Sequence, residues 1–343
     1  MAEETLTVNI PGMDANAQAK SFRAMDAAQI QDSWTFLEAE LEKRDPTLLE
    51  PLAAVTWPRD IVAITGGGMM QYSSNFFVDY ASPGAGTRSI GGDQQTNVPM
   101  IEAKLSKDMY KAYLYQIATA IPIVQQMYMD GVGRSLDQIY DSGIRLDYNK
   151  FIDNMVYFGK PVDNNYGIVN NPNVKTISVS TINTHTTWKD KIANGEVDAV
   201  LADVNAMLTQ VWADSEYDTS AMPNHLGVTP QIFGLLVTAK VSDAGNISVL
   251  EYLKRNNIAT SQGINLEIVP MRQLIKAGVG GQIDRAIAYC NDKRFFNFDL
   301  LQPLTRHMTG PDVANARFVS QYLANMTAPK LLYPTTQVYM DGV

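Results

Sequence analysis

The sequence predicts a mixed α+β protein with long extended arms towards its N-terminal end. Three observations carry that expectation. An alternating apolar and polar run follows a glycine-rich stretch, two strong amphipathic helices come after it, and short strand signals close the chain.

Taken in order, residues 1–20 are polar and without period, so they read as a mobile arm. Asp26 to Arg44 reads as a helix, with Ile30, Trp34, Leu37 and Leu41 on one face and Asp45-Pro46 as its stop. From Thr65 to Asn97, Gly66-Gly67-Gly68, Pro83-Gly84-Ala85-Gly86 and Gly91-Gly92 punctuate a polar stretch, with a strand signal at Phe76-Phe77-Val78. Ile101, Ala103 and Leu105 then alternate with Glu102, Lys104 and Ser106, and Tyr113, Tyr115 and Ile117 resume the pattern. Two extended limbs around a glycine-rich tip describe a long hairpin. An isolated hairpin is marginally stable, so this one needs another surface to lie on.

The strongest helix signal follows. Ser135 with Gln138 makes a capping-box pattern, Leu136 to Phe158 carries an apolar face, and Gly159 ends it. A second helix runs from about Glu196 to Asp214 along Val197, Val200, Val204, Leu208 and Val211. Thr229-Pro230 opens a short helix through Leu236, with threonine as cap, and Ser248 opens another. Strand signals stand at Asn265–Val269, Ala286–Cys290, Phe295–Leu301, Arg317–Leu323 and Leu331–Val338.

Composition excludes several functions. Of 343 residues, 45% are hydrophobic and 18% charged, as in a globular protein. The net charge of -9 lacks the basic excess of a phosphate-gripping protein. The single Cys290 forbids an intrachain disulfide and points to a reducing cytoplasm as the place of assembly. Met1-Ala2-Glu3-Glu4-Thr5 lacks the apolar core of a secretory signal. Ala112 to Met129 is uncharged, yet its glutamines and Pro122 argue against a membrane span.

Catalytic constellations are missing from the pattern as well. The glycine runs, Gly278-Val279-Gly280-Gly281 included, lack the strand–loop–helix context of a phosphate loop and read as turns. His185, His225 and His307 follow no metal-ligand spacing, and Cys290 sits in the apolar run Ala286–Cys290 as an inert thiol. Glu38 and Glu42, four apart on a helix, suit a solvated face. No cofactor or metal is expected.

Three stretches together resemble the major capsid proteins of tailed double-stranded-DNA phages, whose architecture is the Hong Kong phage-type capsid fold. Asn97-Val98-Pro99 through Ile123 is similar to the returning limb of that family's extension loop. Ser135-Leu136-Asp137-Gln138 through Phe158-Gly159 is similar to the spine helix of its peripheral domain. Asp198 to Asn205, with Leu226-Gly227-Val228-Thr229-Pro230, resembles its axial domain. Val169-Asn170-Asn171-Pro172-Asn173-Val174 and the ending Tyr339-Met340-Asp341-Gly342-Val343 are similar to one phage capsid subfamily.

The resemblance implies an α+β fold divided into an N-terminal arm with one helix (1–60), an extension loop and return limb (61–130), and a peripheral domain with the spine helix (131–185). An axial domain (186–290) and the peripheral closing strands (291–343) complete it. It implies a structural virion protein that assembles in the bacterial host cytoplasm into an icosahedral or prolate head. Its partners would be copies of itself in pentamers and hexamers, a portal, separate scaffolding or decoration proteins, and DNA held without sequence reading. The extension-loop tip, with Arg88, Gln94, Gln95 and Asn97, would touch a neighbouring subunit. No lysine lies between Lys43 and Lys104, so the tip lacks the amine that some members use for covalent tethering. Two other readings remain open at this point: an encapsulin-like cellular shell, and an α+β enzyme with an unrecognised site.

Overall fold

The computed structural model describes residues 51, 54–81, 101–131, 135–242 and 245–343. The expected helix Asp26–Arg44, and with it Glu38 and Glu42, lies outside the described residues.

A five-stranded sheet forms the centre of the body. It is ordered β10 (Glu267–Pro270), β7 (His225–Val228), β11 (Arg285–Tyr289), β16 (Gln337–Asp341) and β6 (Lys175–Ser178). The β10–β7 and β16–β6 pairs are parallel, and the two pairs between them are antiparallel. Its three inner strands are buried on both faces, and alternation sorts their side chains into two cores. Leu226, Val228, Ala286, Ala288, Val338 and Met340 point to one face. There they meet α5 (Val197–Asp214) through Val204, Leu208 and Val211, α6 (Pro230–Thr238) through Leu236, and α7 (Val249–Arg255) through Leu253. Ile287, Tyr289 and Tyr339 point to the other face and meet Ile152, Val156 and Tyr157 of α3 (Leu136–Phe158).

Gly227 owes its place to this tight stacking. A Cβ there would stand 2.6 Å from Met271 Sδ and 2.8 Å from Ile287 Cγ2. Gly159 ends α3 at φ 63°, where a side chain is disfavoured, as the sequence predicts.

A second sheet, β13 (Gln302–Asp312), β14 (Arg317–Thr327), β3 (Glu102–Pro122) and β2 (Tyr72–Ala81), is antiparallel throughout. The 21-residue β3 is its backbone: Ala112 to Pro122 pairs with β14, and Glu102 to Lys111 pairs with β2. A small sheet of β1 (Val62–Thr65), β12 (Phe296–Leu300) and β15 (Lys330–Leu331) joins the two.

The short helix α1 (Trp57–Asp60) is pinned to α3. The N–H groups of Thr56 and Trp57 donate to Asp153 Oδ1 at 3.0 and 3.2 Å, which supplies acceptors its first turn would otherwise lack. Tyr157 donates to the Asp60 carboxylate and Tyr289 to the Asp60 carbonyl at 2.7 Å. Burial, with Asp60 beside them, pushes both phenols up, so they stay protonated donors.

Several sequence expectations change. Ser135 takes the cap position of α3 without a side-chain bond, so no capping box forms. The first turn closes through Ile139 N–H on the Ser135 carbonyl, and Asp137 turns to Arg306 at 2.9 and 3.0 Å. Thr229 likewise makes no side-chain cap and its hydroxyl is buried unpartnered; Pro230 and the Phe233 N–H on the Thr229 carbonyl set that start. Ser248 does cap, accepting from Glu251 N–H at 3.3 Å. The strand signal Leu331–Val338 splits, because a turn over Pro334–Thr336 separates β15 from β16. Residues 291–343 therefore do not stay in one layer: β16 leaves the closing strands for the central sheet. The uncharged stretch Ala112–Met129 is the end of β3 followed by a helix, α2 (Ile123–Gly131). Among the described residues no helix is long and apolar enough to cross a membrane.

Candidate assembly arm

β2 and the first half of β3 leave the body as a two-stranded arm. The register fixes its two faces, since directly opposed residues share a face. Tyr72 opposes Lys111, Ser74 opposes Met109, Phe76 opposes Lys107, Val78 opposes Leu105 and Tyr80 opposes Ala103. That face is mostly apolar, and Tyr72, Phe76, Val78, Tyr80, Leu105 and Met109 are all exposed on it. The opposite face carries Ser73 against Tyr110, Asn75 against Asp108, Phe77 against Ser106 and Asp79 against Lys104. A polar face turned one way and an uncovered apolar face turned the other invert the usual economy of a monomer surface.

The same odd-numbered face of β3 is the core face inside the body. Tyr113, Tyr115, Thr119 and Ile121 are buried there. Tyr115 packs on Tyr148 and Phe151 of α3, with ring centroids 5.5 and 5.0 Å apart. One continuous face of β3 thus meets a helix in its second half, while in its first half Lys111 at the root reaches Asp163 at 3.5 Å and the apolar residues beyond it stay exposed.

The root of the arm is anchored through its polar face. Lys330, almost wholly buried, donates to Ser73 Oγ at 2.7 Å and to the Asp299 carboxylate, and Ser73 donates to that carboxylate too. The Tyr110 ring lies 5.4 Å from the Lys330 ammonium, and burial pushes its phenol up. Phe77 stacks edge-on against Tyr333 at 6.1 Å, and Tyr333 against Phe295 at 5.8 Å. Just below, Asn325 Nδ2 donates to the carbonyls of Gly68 and Met70 at 3.1 and 2.8 Å. Gly66, Gly67 and Gly68, all at positive φ, do not form the expected turn but run on from β1, with the N–H groups of Gly66 and Gly68 donating to the carbonyls of Leu300 and Leu301 at 3.2 and 2.9 Å.

The candidate contact residues Arg88, Gln94, Gln95 and Asn97 fall between Ala81 and Glu102, outside the described residues. His185 faces Glu196 at 3.0 Å and His225 faces Glu267 at 3.3 Å, two separate pairings. Among the described residues no cluster of three or more His, Cys, Asp or Glu is placed to hold a metal ion. Cys290 is buried and burial pushes its thiol up to about 11, which suits an inert thiol. What sequence reading misses is the sidedness of the arm. The alternation of Phe76, Val78 and Tyr80 is legible, but its sharing of a face with Leu105 and Met109 depends on the register.

The profile of a family described as major capsid protein matches residues 86–343. No curated protein matches the sequence. Among solved structures, the fold is similar to the capsid of Myoviridae phage XM1, with a TM-score of 0.71 and 14% identity over 89% of this chain and 98% of that one. It is similar to the capsid of a native GTA particle, with a TM-score of 0.59 and 8% identity over 93% and 99%. Microbacterium phage Oxtober96 gives a TM-score of 0.56 and 8% identity over 89% and 96%.

Proposed function

This chain belongs to the major capsid protein family, and from that premise we propose how its geometry builds a shell. The protein is a structural component of the phage head, with the Hong Kong phage-type α+β fold. Its arm lies across a neighbouring subunit, apolar face inward, with Arg88, Gln94, Gln95 and Asn97 at the far contact. The central part (186–290) gathers copies into pentamers and hexamers, and the peripheral parts (131–185 and 291–343) join these to one another. The acidic chain encloses DNA without gripping or reading it, in line with its net charge of -9. Assembly takes place in the host cytoplasm with a separate scaffold and a portal, and the shell performs no catalysis.

The observation that carries this reading is the uncovered apolar face of an arm that has no core of its own. Replacing residues 84–97 with a Gly-Ser linker tests it. The expected protein unfolds at the wild-type temperature yet forms no regular shells in negative-stain microscopy. Normal shells from this variant would overturn the role given to the arm.

A further inference from the structure

We propose that the apolar face of the arm seats on α2 (Ile123–Gly131) of a second copy of this chain. The inference rests on the reading of the arm as an intersubunit element, and it names the surface that receives it.

The occupant's chemistry follows from β3 itself. Inside the body, its odd-numbered face is covered by a helix that offers aromatic rings, Tyr148 and Phe151. The same face runs on into the arm with no bulge in either ladder, so a helix with outward apolar residues is the matching cover. α2 is such a helix. Val124, Met127 and Tyr128 sit one turn apart on it and are 56, 68 and 72% exposed, against 70 and 73% for Phe76 and Leu105 on the arm. A helix that turns three large apolar residues outward is as incomplete as the arm.

The two surfaces cannot meet within one chain. β3 connects them directly, and at about 3.3 Å per residue Met109 and Ala103 stand roughly 45 and 65 Å from the start of α2. Joining them is therefore a head-to-tail contact, the kind that closes into rings when copies are related by rotation. Charge agrees with the pairing: the arm's apolar face carries Lys107, Lys111 at its root being paired with Asp163, and Ile123–Gly131 contains no lysine or arginine.

Cysteine pairing tests the contact. Leu105→Cys and Met127→Cys are made as separate proteins, mixed, assembled under reductant and then oxidised. The expected product is a disulfide dimer in the mixed shells and in neither protein alone. Cys290, buried with its thiol pushed up to about 11, does not compete. Assembled mixed shells that give no dimer overturn the proposal. If a Tyr140→Cys partner cross-links to Leu105→Cys instead, the arm still lies on a neighbour and only its seat is wrong. If Leu105→Cys reacts with a thiol reagent as fast in shells as in free subunits, the reading of the arm itself fails. A second variant, Met127→Lys with Tyr128→Lys, alters exposed positions only. Its subunit should unfold like wild type while shell yield falls at least tenfold. Full yield from it overturns the proposal, and it decides the matter alone if the cysteine proteins do not assemble.

Discussion

Tyr115 on β3 donates its phenolic proton to Asp147 on α3 at 2.6 Å, and its ring rests between Tyr148 and Phe151 of the same helix. Ring and hydroxyl hold the strand that carries the arm against the longest helix of the body. Burial, and then Asp147, push the phenol up, so it remains a donor across the working range.

The two parts of that contact should separate by mutation. Asp147 is exposed, so water replaces the lost donor, and Tyr115→Phe should cost about 1 kcal/mol. Tyr115→Ala also empties the ring's site and should cost about 3–5 kcal/mol. Urea unfolding of unassembled subunits measures both. Equal losses would assign the contact to the hydroxyl and contradict the packing account.

A buried charge network should behave non-additively. Lys191 donates to Asp203 at 2.6 Å and to Ser180 Oγ at 3.0 Å, and Trp188 Nε1 donates to Asp203 at 3.0 Å, with Lys191 and Asp203 both buried. Lys191→Met strands a carboxylate and should cost about 3–5 kcal/mol. Adding Asp203→Leu should recover part of that loss. A double variant weaker than the sum of the single ones would show that the charges are not what couples the sites.

Acid should weaken the subunit through His225. Burial lowers its pKa below the ordinary 6.5, against the opposing pull of Glu267 and Asp60 and with a smaller push from Arg59. The unfolded chain therefore takes up this proton first as pH falls. The contribution is whole above about 6.5 and is lost progressively below it. Replacing His225 with Asn should flatten the fall in melting temperature between about pH 7 and about pH 5. An unchanged slope would place the titration elsewhere.

Mature shells should hold without covalent links. Lys104 opposes Asp79 across the ladder, and the Lys107 ammonium lies 5.6 Å from the Phe76 ring. Both amines are thus engaged within their own arm, one against a carboxylate and one over a ring. Boiled in denaturant and reductant, particles should give one band near 37.9 kDa. A surviving ladder of multimers would refute this.

Helices were the legible part of the fold. The 3.6-residue period of Leu136–Phe158 and Val197–Asp214, and the punctuation at Gly159 and Pro230, are local signals that tertiary packing did not override. The arm was legible as a hairpin because its alternation is local too. Three things were not. β13 contains Pro303, Gly310 and Pro311, which read as breakers, yet it sits at the sheet's edge, where proline is tolerated. α2 follows the strand within one uncharged run, and Pro122 at the boundary marks the strand's end without announcing a helix. The pairs Lys191–Asp203, Lys330–Asp299 and Arg285–Asp341 join residues 12 to 56 positions apart, and sequence alone gives no reason to bury any of them.

The anchoring of Ser73 and Tyr110 over Lys330 makes the arm a lever with a defined stiffness. Bending it away from the body would let water reach the Lys330–Asp299 pair, so the restoring force is one of hydration as well as backbone elasticity. Load applied at the far end is thereby delivered to β12 and β15, deep in the body. A tug on the arm becomes tension on β12 and β15, and if the arm lies on a neighbour as proposed, a lattice of such levers would share strain among its members.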